Sequence, residues 1–392
     1  MPALLAPALV AAALASPLEA RLSPALAARF ARVAWTPARV ERLAREMPKV
    51  ETHVHLDGAL APETVQRLAR DQGHAPLAGL DLAEIRRRTV VDAPRENLAA
   101  VLRAFETVYP LLRTPEALRL AALELTAAAA RQNIRYLEVR FAPALQATAA
   151  FPQEAVLDAV FAGLADGHRE HGVASAVIVC LIRPPAFVDL ATNRAMLELA
   201  IARRGQGVVA IDLAGDESAA PLADYADLFR RARAGGLGLT AHAGEVAGSR
   251  DLETALELGV DRVSHATLLA ERPDLLAELV RRGIPIEVNL TSNLRTGAVA
   301  DLARHPVREW FRAGARIALS TDDPGVFAND LAGEYLLLHR ELGFTPVELA
   351  TVALEGIDAL FLPAAERARL RVAAERDLGR LLDALAAPEP AP

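Results

Sequence analysis

Eight short runs rich in aliphatic and β-branched residues, most of them separated by one amphipathic helix, constrain this chain more than any other feature. They are Val50–Leu56, Tyr136–Phe141, Ala176–Leu181, Val208–Leu213, Leu239–His242, Arg262–His265, Pro285–Asn289 and Arg316–Thr321. Near-continuous apolar strands alternating with helices need a parallel sheet covered on both faces. Eight such units predict an α/β fold closed into a (β/α)8 TIM barrel. The helices show a 3.6-residue stripe, as in Glu154–His171, where Val156, Val160 and Leu164 share one side, and in Leu275–Arg282.

The first two runs lie about 80 residues apart, far beyond an ordinary βα connection. Helical patterns fill this insertion at Pro62–Gln72 and Leu98–Leu112, the second apolar at Leu98, Val101, Leu102 and Phe105. An excursion after a barrel strand sits at the catalytic face, and this one reads equally as a lid or as an extra packing element. Residues 1–45 are expected to form an N-terminal extension, 46–385 the barrel domain and 386–392 a disordered Pro/Ala-rich tail. No stretch reaches the ~20 uninterrupted apolar residues of a membrane helix. Ala3–Ala15 ends in Ala13-Leu14-Ala15, which resembles a signal cleavage site, but no Lys or Arg precedes Arg21. The expected location is the cytoplasm, with export through this segment as the alternative.

Composition narrows the chemistry. Lys+Arg of 43 against Asp+Glu of 50 gives a net charge of −7, which disfavours a broad nucleic-acid-binding face. One cysteine, Cys180, excludes an intramolecular disulfide, a multi-thiolate zinc site and the Cys-ligated class of nucleobase deaminases. The absence of long charge runs gives no sign of a macromolecular partner.

Histidines carry the chemistry. His53 and His55 are two residues apart on a predicted strand, so both rings point to one side. His242 ends the fifth run, and Asp322 follows the eighth in Ser320-Thr321-Asp322-Asp323-Pro324. Converging at the barrel mouth, His53, His55, His242 and Asp322 suit one zinc ion with a position left for water. The only lysine, Lys49, stands before the first strand, at the wrong end for the bridging group of a two-metal hydrolase; one ion per chain is expected. Zinc lowers the pKa of its water towards neutrality. Glu245, three residues after His242, is a general acid if burial keeps it protonated. His265 is placed to orient the water and accept its proton, and Asp322 to share that work, with Asp323 beside it. Asp57 and Gly215 read as substrate contacts, the first towards sugar hydroxyls and the second through backbone N–H. Glu138 and Arg140 face one way on the second strand and read as a buried ion pair. The other five histidines (His74, His168, His171, His305, His339) read as solvated surface.

The chain resembles the adenosine deaminases, zinc-dependent (β/α)8 hydrolases acting on the 6-amino group of purine nucleosides. The matching segments are PKVETHVHLDGALAPE (48–63), YLEVRFAP (136–143), AIDLAGDE (210–217), TAHAGEV (240–246), EVNLTSNLRTG (287–297) and LSTDDPGVF (319–327). The resemblance spans roughly residues 46–370. It implies zinc on His53, His55, His242 and Asp322, with Glu245 protonating purine N1 as hydroxide attacks C6. It further implies His265 and Asp322 positioning that hydroxide, Asp323 at N7, Gly215 at N3 and Asp57 at the ribose 5′-hydroxyl. Leu98, Leu102 and Phe105, with Val101, fall where members of the family cover the substrate.

One departure stands out: the family usually has Gly-His-Gly where this chain has Ser264-His265-Ala266, and the added β-carbons are placed to crowd the water or shift the ring. Adenine deaminases typically carry Glu, and N6-methyl-AMP deaminases Asn, where this chain has Asp57. A small-molecule purine nucleoside is therefore the expected partner, adenosine or 2′-deoxyadenosine first, in purine salvage. Aminodeoxyfutalosine and adenine are the alternatives, and a non-catalytic nucleoside-binding relative or a barrel hydrolase of amides or esters are readings of other classes. Family members are commonly monomers, though some self-associate.

Overall fold

Five parallel strands pair in chain order: β1 (Lys49–His55), β2 (Ile134–Phe141), β3 (Ala174–Ile182), β4 (Val208–Ala214) and β5 (Gly238–Leu239). Four more continue the pattern: β6 (His242–Ala243), β7 (Val263–His265), β8 (Ile286–Val288) and β9 (Ile317–Leu319). These are seen in a computed structural model that describes residues 21–95, 98–184 and 188–388, so the Ala3–Ala15 segment and the end of the tail lie outside the described residues. Backbone bonds join the two sheets at both seams. Thr240 N donates to Ile211 O at 3.0 Å, while Asp322 N donates to His53 O and His55 N to Asp322 O, both at 2.9 Å. The ring of strands therefore closes.

The fifth expected strand, Leu239–His242, is split in two. Both edges stay paired through the break: Thr240 N donates to β4, while the Leu239 and Ala241 carbonyls accept from Asp261 N and from Ser264 N of β7. Elsewhere the apolar runs behave as two-sided parallel strands do: Ala176–Ile182 of β3 is buried at every position.

Helix ends follow local chemistry. Thr114 caps Pro115–Arg131 by accepting from Ala117 N, with proline at the first helical position, and Gly172 closes Gln153–His171 in the left-handed conformation. The expected helix Leu98–Leu112 stops at Val108 and tightens into a 3₁₀ turn, Tyr109–Leu112, where Pro110 lacks a backbone N–H. Val101 and Phe105 of this helix pack on Val91, Val326 and Phe327 in a small apolar cluster apart from the main core. It thus lies over the chain just beyond Asp322 and Asp323. Residues before β1 join the barrel core through Leu26, Phe30, Val40 and Leu43, and Arg21 reaches Glu355 at 3.1 Å. Lys49 opens β1 fully buried, its ammonium donating to the carbonyls of Ala44, Arg45 and Met47. Among the described residues, no helix is long and apolar enough to cross a membrane.

Candidate active site

Beneath the barrel mouth lies a dry ionic lattice. Arg140 donates to Asp212 and Glu287, both at 2.9 Å, and to the Thr52 carbonyl at 2.8 Å. Arg262 pairs with Glu287 at 2.8 Å and with Glu138, whose other oxygen accepts from Phe361 N. Glu138 and Arg140 are thus both buried and ion-paired, but not with each other. In a barrel interior each residue meets side chains of its own layer from other strands rather than its neighbour two residues along. Burial alone would raise these carboxyls. His242 and Arg140 beside Asp212, and Arg140 and Arg262 beside Glu287, outweigh it and hold both below the usual carboxylate range.

Those two carboxylates orient the histidines above them. His53 Nδ1 lies 3.1 Å from Glu287 Oε2, and His242 Nδ1 lies 2.9 Å from Asp212 Oδ2. A carboxylate only accepts, so the His53 ring, hydrogen-bonded to Glu287, carries its proton on Nδ1 and presents a bare Nε2; the Asp212 charge draws the His242 proton to the same nitrogen, though without hydrogen-bond alignment. His53 Nε2 has no hydrogen-bond donor, yet Asp322 Oδ1 stands 3.0 Å away. His55 Nε2 is 3.3 Å from both Asp322 Oδ1 and His242 Nε2. Facing lone pairs in a buried site repel unless a cation stands between them. The donor set, imidazole nitrogens with one carboxylate, fits zinc. His53, His242, His265 and Asp322 each bring one such atom within 4.8 Å of the others. Strain marks the same spot: His265, Ala266 and Asp322 hold φ of +62°, +55° and +66°, a region that non-glycine residues adopt at a cost.

The proton-handling groups surround this cluster. Glu217 accepts from Gly244 N at 3.0 Å and Glu245 N at 2.8 Å, clamping the turn that carries Glu245. Burial, then the Asp322 carboxylate, push the Glu245 carboxyl up to about 7, and its Oε1 has no partner. His265 Nε2 lies 3.7 Å from Glu245 Oε2. Asp323 is raised by burial and by Asp322, and its Oδ1 is likewise unpaired. Gly58 makes room for it: a β-carbon there would sit 1.8 Å from Asp323 Oδ1. Asp57 is buried and accepts from Gln146 at 3.3 Å.

A cavity of about 380 Å³ joins these residues. His55, Asp57, Gly215, His242, Glu245, His265, Asp322 and Asp323 line it, and Leu98, Leu102 and Phe105 cover it. Of the expected site residues, His53 stays off its wall, fully buried beneath, and Val101 turns away into the apolar cluster behind the helix. A larger void of about 720 Å³ lies against helix Pro115–Arg131, and none of those residues reaches it. Neither Ser264 nor Ala266 lines the cavity. The Ser264 hydroxyl turns down to Glu287 and Arg140, which removes the expected crowding from its side.

Sequence reasoning missed several supports. Asp212 and Glu287 were visible as charges inside apolar runs, though without their roles. Ser292 donates to Asp322 Oδ2 at 2.7 Å. Arg183 bonds Asp251 at 2.6 Å and the His242 carbonyl at 3.1 Å, tying β3 to β6. His305, expected at the surface, is buried and bonds Asn293 at 3.2 Å. A histidine before a proline in a loop gives no periodic hint of burial.

A closed parallel barrel with two histidines on β1, a third on β6 and a carboxylate after β9 defines a metal-dependent barrel hydrolase. A family model described as adenosine deaminase matches residues 48–375. The adenosine deaminase of Lacticaseibacillus casei is 35% identical over 326 residues, 83% of this chain and 95% of that protein. That of Shewanella denitrificans is 34% identical over 332 residues, 84% and 98% of the two chains. Among solved structures, an amidohydrolase from Burkholderia ambifaria with bound zinc aligns with TM-score 0.79 at 29% identity, over 90% of this chain and 96% of that one. An adenine deaminase from Arthrobacter aurescens aligns with TM-score 0.74 at 26% identity, over 84% and 98%. The chain belongs to the adenosine deaminase family.

Proposed function

We propose that this chain is a zinc-dependent hydrolytic deaminase that converts adenosine and 2′-deoxyadenosine, with water, to the corresponding inosine and ammonia. The observation that carries the reading is the close approach of His53, His55, His242 and Asp322, at 3.0 to 3.3 Å, beside the unpaired Glu245 carboxyl at one covered cavity. His53, His55, His242 and Asp322 would hold the zinc, within a deaminase domain of residues 46–385. When bound, zinc supplies Lewis-acid activation of water at neutral pH.

The chain's own residues do the rest. Glu245, kept protonated by burial, gives its proton to purine N1, which draws electrons from C6 as oxygen adds there. Asp323, protonated beside Asp322, donates to N7, and the Gly215 backbone N–H meets N3. Asp57 accepts from the ribose 5′-hydroxyl. His265 orients the incoming oxygen. Leu98, Leu102 and Phe105 keep bulk water from the reacting atoms.

The test is ammonia release from adenosine by purified protein, with adenine, AMP and aminodeoxyfutalosine in parallel and zinc assayed on the same sample. Fastest release from adenosine, lost on chelation, is expected. Faster turnover of another of these compounds overturns the substrate, and no release from any with zinc bound overturns the activity.

A further inference from the structure

His265 poses a question that distance alone leaves open. The ring brings a nitrogen into the same 4.8 Å group as His53, His242 and Asp322, and its Nε2 lies 3.7 Å from Glu245, so by position it qualifies as a metal ligand or a base as well as a donor. The hydrogen bond behind a histidine ring decides which nitrogen is bare. Behind His53 and His242 stand carboxylates; behind His265 stands the side-chain amide of Asn293, 3.0 Å from Nδ1.

An amide can point either way, and this one is fixed from further back. Val307 N donates to His305 Nδ1 at 3.2 Å, and a backbone N–H has no other role. Burial pulls the His305 pKa down to about 3, so the ring is neutral and its single proton stands on Nε2. That nitrogen lies 3.2 Å from the Asn293 side-chain oxygen, which accepts. The Asn293 nitrogen is thereby turned to His265, whose Nδ1 accepts from it. The proton of His265 is left on Nε2, a buried atom without a hydrogen-bond partner among the described residues. A second amide opposes this weakly. With its nitrogen turned to the Val288 and Ser320 carbonyls at 3.2 and 3.3 Å, Asn289 sets its oxygen 3.4 Å from the Nδ1 atoms of both His53 and His265. That distance lies outside the usual N–H···O range, whereas a proton on His265 Nδ1 would face the Asn293 N–H at 3.0 Å.

We propose that a relay from the Val307 backbone through His305 and Asn293 fixes His265 as its Nε2–H form, a hydrogen-bond donor to the reacting oxygen. A ring protonated on Nε2 offers no lone pair there, so His265 neither ligates the metal nor takes the proton of the incoming water. Asn293 and His305 are positioning residues. The oxygen that His265 meets rests on the deaminase reading above; the position of the proton does not.

Long-range ¹H–¹⁵N correlation on histidine-labelled protein, metal-free and zinc-loaded, reads the tautomers directly. The expected spectrum has His265 protonated on Nε2, and His53 and His242 on Nδ1. Asn293→Asp, which can only accept, should move the His265 proton to Nδ1 and free Nε2. The cobalt-substituted variant should then show an added nitrogen ligand, and kcat for adenosine should fall roughly 10–100-fold with KM little changed. His305→Leu should mix the two tautomers, and His305→Gln, which returns a donor near the Nε2 position, should restore the wild-type spectrum. Wild-type His265 protonated on Nδ1, or a tautomer indifferent to Asn293→Asp, overturns the relay. Nε2–H on His265 without ammonia release from any adenine compound leaves the relay standing and sinks only the deaminase reading.

Discussion

Below the cavity, Arg140 and Arg262 share Glu287, with Asp212 and Glu138 completing a lattice in which each buried charge faces an opposite one. One level up, His53 Nε2, Glu245 Oε1, His265 Nε2 and Asp323 Oδ1 are as deeply buried and have no partner, and lone pairs face carboxylate oxygens. Both regions are built of titratable or charged side chains at the same depth. What differs is where the unmet capacity points. The lattice has spare N–H groups on its arginines and one spare Asp212 oxygen, all on residues whose charge is already matched, so they ask for nothing specific. Glu245, His265 and Asp323 open on one cavity with His53 directly beneath it, which is the arrangement of a site awaiting a cation and a polar substrate. The lattice also serves the site, because Glu287 and Asp212 set the ring form of His53 and His242.

The sharpest way to separate the two regions is to remove one group from each. Glu245→Gln keeps shape and deletes only the proton; kcat should fall by roughly 10²–10⁴-fold. Zinc content and unfolding midpoint should stay near wild type, checked by metal analysis and calorimetry. Arg140→Met should do the reverse kind of damage. It leaves Asp212 and Glu287 short of countercharge and should cost about 3–5 kcal/mol in denaturant unfolding. A stable Arg140→Met protein would break the comparison, since the lattice would then be no more than tolerated. Gly58→Ala comes next. Its β-carbon would have to displace the Asp323 carboxyl, so KM for adenosine should rise roughly tenfold or more with little loss of stability. An unchanged KM would remove Asp323 from substrate recognition.

The sequence exposed the upper region better than the lower one, and the reason is geometric. Strand alternation puts His53 and His55 on one side, and strand ends put His242 and Asp322 at one mouth, so the ligands followed from spacing. Pairing across the barrel depends on which layer each inward residue occupies, and layer height is invisible in a list of strands. That is why spacing alone points Arg140 to Glu138, two residues away, while its partners come from β4 and β8. The break between β5 and β6 was hidden for a related reason: the run Leu239–His242 holds no glycine or proline to mark it, and both edges keep backbone partners across it. His305 was hidden most completely. Its burial comes from Asn293 and Trp310 packing against a loop, and its ring stands 5.8 Å from the Trp310 ring.

His305 also offers the mildest test of the contrast, because it is a buried titratable group with neither a countercharge nor an opening to the cavity. Burial lowers its pKa to about 3, while in the unfolded chain it sits near the ordinary histidine value of about 6.5. Between those values the unfolded chain binds a proton that the native protein refuses. Stability from this residue is therefore fully present above about pH 6.5 and lost as pH falls towards 3, at a slope approaching 1.4 kcal/mol per pH unit. His305→Gln has nothing to titrate and should lack this part of the acid sensitivity. Urea unfolding of both proteins in EDTA between about pH 4 and 6 isolates the difference, since the shared ligands lose metal in each. A gap between the two that fails to narrow as pH falls would mean that His305 is protonated in the folded protein. It would then have two protons to give, and Val307 N would face a donor instead of a lone pair.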